Sequence, residues 1–303
     1  MSSVTQSLAE KGLVKPPSWL ASNVHYEAIT GSIAYGVSED TSDFDVYGWC
    51  IPPKDMIFPH LRGEIPGFGR QVQRFEQFQQ HHVNDPEALG GKGRQYDLSI
   101  YSIVKWFHLV MEGNPNMVDA LFVPANCVLH ATQIGQRVRE RRKLFLHKGC
   151  WHKYKGYVFA QASRMRGDRK RPEGKRKEVV DQFGFDCKHA YHIVRLLDEV
   201  EQILETGDLE LGRNREHMKA IRRGEWTEQQ VLDHFAAKEK ALEELYQRST
   251  LPWGPDEDAI KGLLLECLEE HFGSLAAVIA REDAPVRALR EIDRVLTGVL
   301  SLI

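Results

Sequence analysis

The most informative pattern in the sequence is Gly31-Ser-Ile-Ala-Tyr-Gly-Val-Ser-Glu-Asp-Thr-Ser-Asp-Phe-Asp45. The residues immediately before it, His25 to Thr30, have the pattern of a β-strand, and Gly31-Ser32 is expected to open a short helix. A helix N-terminus offers free N–H groups and a partial positive charge, which suit a phosphate group. Gly31 lets the backbone approach such a ligand closely, and Ser32 adds a hydroxyl donor. We therefore predict a phosphate-binding turn here.

Two carboxylates follow at Asp43 and Asp45, and Phe44 to Ile51 predict a second strand that ends before Pro52. Side chains alternate along a strand, so both carboxylates are expected on one face. Two adjacent carboxylates repel each other unless a cation lies between them. Mg²⁺, or Mn²⁺ in its place, prefers oxygen ligands of this kind together with substrate phosphates. The pattern therefore predicts a phosphoryl-transfer site that takes an NTP as its substrate.

A two-metal reaction also needs a third carboxylate near the attacking hydroxyl, and Asp97 is the candidate. It lies in Arg94 to Ser99, a predicted strand that returns antiparallel to one within Gln71 to Val83. Two roles remain open for Asp97. It completes the metal ion that activates the hydroxyl, or it accepts the proton as a general base. Apolar residues from Ile100 to Val110 recur at helical spacing, so a helix is expected to follow at once.

The composition is that of a globular protein, with 303 residues, 42% of them hydrophobic and 27% charged. No stretch approaches the roughly 20 apolar residues of a membrane helix, so no membrane partner is expected. The five cysteines form no C-x-x-C pair, and the first residues lack a secretory pattern, which predicts a reduced, cytoplasmic protein. The net charge of −3 gives no general attraction to nucleic acid. However, Arg164 to Lys177 contains eight Lys or Arg residues and two acids.

The two halves of the chain carry different secondary-structure signals. Residues 1–125 carry strand and turn signals with one strong helix, whereas residues 126–303 read as mostly helical. The predicted helices of the second half cover about residues 133–146, 150–166, 179–205, 228–248, 256–272 and 285–302.

Four blocks of sequence, in order along the chain, resemble the DNA polymerase β superfamily of nucleotidyltransferases. Within that superfamily, the chain resembles the RNA-repair-associated branch, the RlaP-like proteins. The blocks are Gly31–Gly36 with Ser42–Gly48, Asp97–Ser102 with Gly113–Asn116, Phe185–Leu197, and Ile221–Thr227. The resemblance implies use of an NTP and Mg²⁺, and a link to nucleic-acid repair. It also implies an α+β fold, in which a polymerase β-like nucleotidyltransferase core of a small mixed sheet flanked by helices (1–125) precedes an all-helical domain (126–303).

The third block contains Lys188, His189, His192 and Arg195, which lie on or beside one face of a predicted helix. A row of this kind usually marks the solvated face of an amphipathic helix. It matches a family block, however, and a triphosphate needs cations and hydrogen-bond donors near it. We therefore predict that these four residues bind the nucleotide in a cleft between the two domains.

The predicted reaction transfers an NMP from an NTP to an acceptor hydroxyl. The first candidate acceptor is the 3′ end of an RNA, for example in tRNA repair, with Arg164 to Lys177 as a contact. Two alternatives remain open: a small-molecule or protein hydroxyl as the acceptor, and a nucleotide sensor without catalysis. A sensor has no need of three metal carboxylates, so Asp43, Asp45 and Asp97 argue against it.

Overall fold

The computed structural model describes residues 2–38, 44–71, 73–166 and 175–275, together with positions 289 and 292. The chain divides into two compact units. The first comprises Met1–Pro52 and Phe75–Leu265, and the second comprises Pro53–Arg74 and Glu266–Ile303. The predicted domain boundary after residue 125 lies inside the first unit and stays a prediction. In the described ranges no helix is long and apolar enough to cross a membrane.

A mixed sheet lies at the centre of the first unit, and its strand order is β3-β4-β2-β1-β5 over the described residues. The middle pair, β2 and β4, is parallel, whereas the other neighbouring strands are antiparallel. The predicted strands before and after the Gly31–Asp45 stretch and the antiparallel β3–β4 pair are confirmed; β5 was not predicted. The strands are β1 (Val24–Ile29), β2 (Phe44–Cys50), β3 (Gln77–Asp85), β4 (Arg94–Ser102) and β5 (Val128–Ala131).

Helices surround this sheet and make up most of the remaining described chain, so the α+β class with a helical second half is confirmed. The helices up to β5 are α1 (Val4–Glu10), α2 (Gly31–Ala34), α3 (Lys54–Ile57), α4 (Ala88–Gly91), α5 (Ile103–Met111) and α6 (Pro115–Phe122). The later ones are α7 (Gln133–Glu140), α8 (Cys150–Met165), α9 (Lys175–Phe183), α10 (Cys187–Thr206), α11 (Arg215–Arg222), α12 (Glu228–Arg248) and α13 (Glu257–Phe272).

The junction between β4 and α5 differs from the prediction. The helix was expected from Ile100, but β4 continues to Ser102 in register with β2. Ser102 then caps α5, because its hydroxyl accepts a hydrogen bond from the N–H of Lys105 at 3.2 Å. Tertiary strand pairing therefore overrides the helical spacing for three residues.

Capping residues also define the helices that follow. Asp186 is the N-cap of α10, so the single helix predicted over about 179–205 is two helices, α9 and α10. Gly207 ends α10 in the left-handed conformation, as is common at helix C-termini. The predicted capping box of Thr227 and Gln230 is confirmed at the start of α12. The helix predicted over about 285–302 lies outside the described residues, apart from 289 and 292.

Large buried aromatic side chains connect the sheet to the helices of the first unit. Tyr26 of β1 is fully buried, its ring lies 6.3 Å from that of Trp106 in α5, and its hydroxyl donates to the carbonyl of Ala120 in α6 at 2.9 Å. On the helical side, α10 packs against α8, α11 and α12. The apolar stripe of α10, which includes Ile193 and Leu197, is buried there.

The second unit has its own aromatic contacts. The ring of Phe58, just after α3, lies 6.4 Å from the ring of Phe272 at the end of α13. The Lys54 ammonium group is 5.5 Å from the centroid of the same Phe272 ring. No residue of the predicted site belongs to this unit.

Candidate active site

Asp45 and Asp97 lie side by side on neighbouring strands. They are direct register partners in the parallel pair of β2 and β4, so their side chains point to the same face of the sheet. Both are partly exposed, in contrast to the fully buried Val46 and Leu98 beside them. Asp43, the other predicted metal carboxylate, lies outside the described residues. The structure therefore brings together two of the three predicted catalytic residues.

The turn at Gly31 packs closely against Asp45. Gly31 has a φ of +67°, and a Cβ atom there would lie 2.3 Å from Asp45 Oδ2, well inside van der Waals contact. The main-chain N–H of Thr30 also donates to the carbonyl oxygen of Asp45 at 2.8 Å. Gly31 begins the short helix α2, as predicted, and Ser32 follows in the same turn. Only glycine satisfies both the left-handed backbone and this close approach.

Tyr47 extends the same face of β2 towards the helices. Burial, and then the neighbouring Tyr101, Asp45, Tyr157 and Asp97, raise the pKa of Tyr47 well above its usual value. Its hydroxyl therefore stays protonated at neutral pH. Since Tyr157 belongs to α8, the carboxylate face of the sheet is directed towards α8.

Next to Tyr157 is a cavity of about 630 Å³. It lies between α8 and α10, beside the first turn of α6, and we call it the α8–α10 pocket. Its volume is in the range that accommodates a nucleotide-sized ligand. The Tyr157 hydroxyl accepts a hydrogen bond from the Asn114 amide at 3.1 Å. The lining residues are Asn116, His152, Lys153, Gly156, Tyr157, Ala160, Gln161, Arg164, His192, Arg195 and Leu196.

The predicted row on α10 divides into different environments. Lys188 is exposed, whereas His189 is buried with its Nδ1 atom 2.7 Å from Gln161 Oε1. His192 lines the α8–α10 pocket. Burial, and then the charges of Arg195 and Lys188, lower the pKa of His192 well below its usual value, so the ring is neutral at pH 7. The nucleotide-binding roles of these residues stay predictions.

Arg195 also lines the α8–α10 pocket, but its guanidinium group is buried and bonded to other side chains. One nitrogen is 2.6 Å from Asp119 Oδ2, 2.7 Å from Glu199 Oε1 and 2.7 Å from the Tyr35 hydroxyl. Burial raises the pKa of both carboxyl groups. Asp119 and Glu199 thus share the single guanidinium group of Arg195. Arg195 joins α10 to α6 and to the Gly31–Gly36 block, and its contact with nucleotide stays a prediction.

Sequence reasoning missed several of these groups. The spacing of Arg195 and Glu199 is the i, i+4 spacing of a helical ion pair and could have indicated their contact. Nothing local to Asp119 or Tyr157 marked them. The predicted RNA contact, Arg164 to Lys177, falls largely outside the described residues. Within it, Arg164 lines the pocket at the end of α8, and Lys177 lies in α9.

Asp45 and Asp97 could hold a metal ion. Both donate oxygen, and their side chains emerge on one face beside a glycine turn that leaves no room for a Cβ atom. Oxygen donors of this kind fit Mg²⁺ or Mn²⁺. Across 2–38, 44–71, 73–166 and 175–275, no three His, Cys, Asp or Glu residues form a metal-binding group, and Asp43 lies outside these ranges.

Two carboxylates therefore lie on adjacent strands of a mixed sheet, with a glycine turn against one of them. The family model described as "RNA repair pathway DNA polymerase beta family", RlaP, matches residues 10–271, and the chain belongs to that family. Membership of this family supports a nucleotidyltransferase of the polymerase β superfamily in an RNA repair pathway.

Among solved structures, one similar chain is a nucleotidyltransferase-like protein from Exiguobacterium sibiricum. It is 11% identical, and the match covers 80% of this chain and 73% of that chain with a TM-score of 0.28. The comparison with curated proteins found no match.

Proposed function

We propose that the protein transfers an NMP group from an NTP to an acceptor hydroxyl and releases pyrophosphate. The observation that carries this proposal is the register of Asp45 with Asp97 on the parallel strands β2 and β4. This pairing brings carboxylates from two distant segments to one face, next to the Gly31 turn. A phosphate-binding turn beside a carboxylate pair is the arrangement that phosphoryl transfer requires.

Metal dependence is part of the proposal. Asp45 and Asp97, with Asp43, would hold Mg²⁺ or Mn²⁺, which would supply charge stabilisation at the phosphates and activate the acceptor hydroxyl. The acceptor oxygen attacks the α-phosphorus, and the bond from that phosphorus to the pyrophosphate oxygen breaks. Two roles for Asp97 remain open in this step: a metal ligand, or the base that takes the hydroxyl proton. Both keep it next to the acceptor.

We place the nucleotide along the face that runs from the Gly31–Ser32 turn to the α8–α10 pocket. Gly31 and Ser32 would receive phosphate oxygens through their main-chain N–H groups and the serine hydroxyl. In the pocket, Arg164 offers a cation and the neutral His192 offers a ring N–H to the triphosphate or the sugar. Lys188 and His189, from the first turn of α10, complete the predicted set, together with Arg195.

An RNA 3′ end is the acceptor that we favour. It is supported by the repair pathway in the description of the family and by the basic composition of Arg164 to Lys177. A basic segment of this kind binds a phosphate backbone in a salt-dependent way. The cytoplasmic location predicted from the sequence suits such an acceptor and belongs to the proposal.

The test is direct transfer of label. The purified protein is incubated with Mg²⁺, total tRNA and each α-³²P-labelled NTP in turn, and the products are separated on a denaturing gel. We expect label in RNA with one NTP, and a loss of about a hundredfold or more in Asp45→Asn, because removing a metal carboxylate removes stabilisation of the transition state. Asp233→Asn, which changes an exposed carboxylate on α12, is the matched control and should keep normal turnover.

Other outcomes identify the other candidates. Pyrophosphate release in cell extract without label in RNA would indicate that the acceptor is a protein or a small molecule and not an RNA. NTP binding without pyrophosphate release under any condition would reject catalysis and leave the sensor. Full activity of Asp45→Asn would contradict the metal site itself.

A further inference from the structure

The edge strand β3 contains a bulge at His81 and His82. Its pairing with β4 is regular from Gln77 to Gln80 and again from Val83, but the register shifts between Gln80 and Val83. His82 has a φ of 56°, a left-handed backbone conformation that few residues other than glycine adopt. Bulges are frequent next to functional sites, where they redirect individual groups, and an unusual backbone conformation persists where its surroundings determine it.

This bulge directs three groups at Asp97. The main-chain N–H of His82 donates to Asp97 Oδ1 at 2.7 Å. The Nδ1 atom of His81 lies 3.6 Å from Oδ2, and that of His82 lies 3.9 Å from Oδ1. The imidazole of His82 is 77% exposed, whereas the Asp97 side chain is 22% exposed. The short contact is therefore made by the backbone of His82, while its ring extends into solvent.

The positive φ of His82 explains how an edge strand can make this contact. In a regular antiparallel ladder, a main-chain N–H either pairs with the carbonyl of the adjacent strand or points away from it. The left-handed turn removes the His82 N–H from the ladder and aims it at a side chain of β4 instead. One oxygen of Asp97 is then fixed, which restricts the rotamer of the whole carboxylate. Hydrogen bonds of this kind orient carboxylates that bind metals.

We propose that the β3 bulge positions Asp97 for metal binding through the main chain of His82, and that the site requires the left-handed backbone of His82 and not its imidazole. This inference rests on the proposed function, and within it takes Asp97 as a metal ligand. His82 is thus a positioning residue that acts through Asp97.

Three substitutions of His82 separate its backbone from its side chain. His82→Gly and His82→Asn remove the imidazole but tolerate a positive φ, so the N–H can stay in place. His82→Val also removes the imidazole, but a β-branched residue disfavours positive φ, so the bulge and its hydrogen bond should be lost. Asn84→Val introduces the same side chain at an exposed position of β3 and is the matched control.

The measurements are Mn²⁺ affinity by titration, kcat and KM for the NTP from pyrophosphate release, and thermal midpoint. We expect His82→Val to weaken Mn²⁺ binding and lower kcat by about tenfold or more, the usual effect of losing a partner that orients a metal ligand. His82→Gly and His82→Asn should recover most of both. The KM for the NTP and the thermal midpoint should change little, because His82 is exposed on an edge strand. Asn84→Val should match the wild type.

Three results would overturn the inference. Equal losses in the Gly, Asn and Val variants would show that the imidazole is what matters, and no loss in any of them would show that the bulge does not position Asp97. The Mn²⁺ affinity of Asp97→Asn distinguishes these results from failure of the proposed function, because it does not depend on turnover. If the wild type releases no pyrophosphate, the function fails and the Mn²⁺ titration alone decides the inference. A Mn²⁺ affinity that Asp97→Asn leaves unchanged rejects it.

Discussion

Among the individual residues of the candidate site, Gly31 has no room for a side chain. Its backbone is left-handed, and any Cβ atom would overlap the carboxylate oxygen of Asp45. Gly12 has a similar φ of +72°, but apart from its own atoms and its two chain neighbours, nothing lies within 4 Å of the place where its Cβ would be. These two glycines therefore separate the effect of backbone strain from the effect of the contact with Asp45.

We predict that Gly31→Ala lowers turnover by about a hundredfold, because displacing a catalytic group by about an ångström has effects of that size. Gly12→Ala should cost about 1 kcal/mol in the free energy of unfolding, from its left-handed backbone alone, and should keep full turnover. Urea unfolding and pyrophosphate release measure the two effects. Equal turnover in both variants would argue against a role for the Gly31 turn in placing Asp45.

At the scale of the element, Glu27 joins α1 to the sheet. It is fully buried in β1, and its carboxylate accepts hydrogen bonds from the main-chain N–H groups of Val4 at 2.5 Å and Thr5 at 3.0 Å. These are the first two residues of α1, where N–H groups lack partners within the helix. Burial raises the pKa of Glu27, although these hydrogen bonds lower it. A strand residue thus caps a helix that lies more than 20 residues earlier in the chain.

We predict that Glu27→Gln lowers the free energy of unfolding by about 1–3 kcal/mol, since the amide can accept only one of the two N–H groups and leaves the other buried without a partner. Hydrogen exchange should show α1 opening before the sheet. Glu10→Gln, at the exposed end of the same helix, should change the free energy of unfolding by less than about 0.5 kcal/mol. Equal stability of the two variants would contradict the capping role.

At the scale of the whole molecule, Arg195 holds together parts of the chain that are far apart in sequence. Its guanidinium contacts Tyr35 after α2, Asp119 in α6 and Glu199 one turn further along α10. All four side chains are buried. Because two carboxylates depend on this single guanidinium, its removal leaves buried charge without a partner.

We predict that Arg195→Met destabilises the protein by about 3–5 kcal/mol, the usual cost of breaking a buried ion pair from one side. The triple variant Arg195→Met, Asp119→Asn, Glu199→Gln should recover part of that loss, because the acids are neutral in it. Chemical unfolding of the single and triple variants measures the difference. A triple variant less stable than Arg195→Met would show that the cluster does not balance charge.

Much of the fold and part of the site follow from local sequence signals. The strand, turn and strand around Gly31-Ser32 and Asp45 follow from alternation and from Gly and Pro positions. The strand that contains Asp97 was predicted as the antiparallel partner of β3, and α12 begins at the predicted capping box. Each of these depends on neighbours within a few residues, so the chain sequence alone specifies it.

Contacts between distant segments could not be predicted from the sequence and became visible only in the folded chain. The sequence placed Asp97 on a strand beside β3, but it did not reveal that the other neighbour of β4 is β2, in parallel and with Asp45 opposite Asp97. It marked His81 and His82 only as adjacent histidines, and Arg195 only as part of a row on a helix. The reason is physical: strand order, bulges and buried ion clusters minimise the free energy of the whole packed chain, and no short window of residues contains that information.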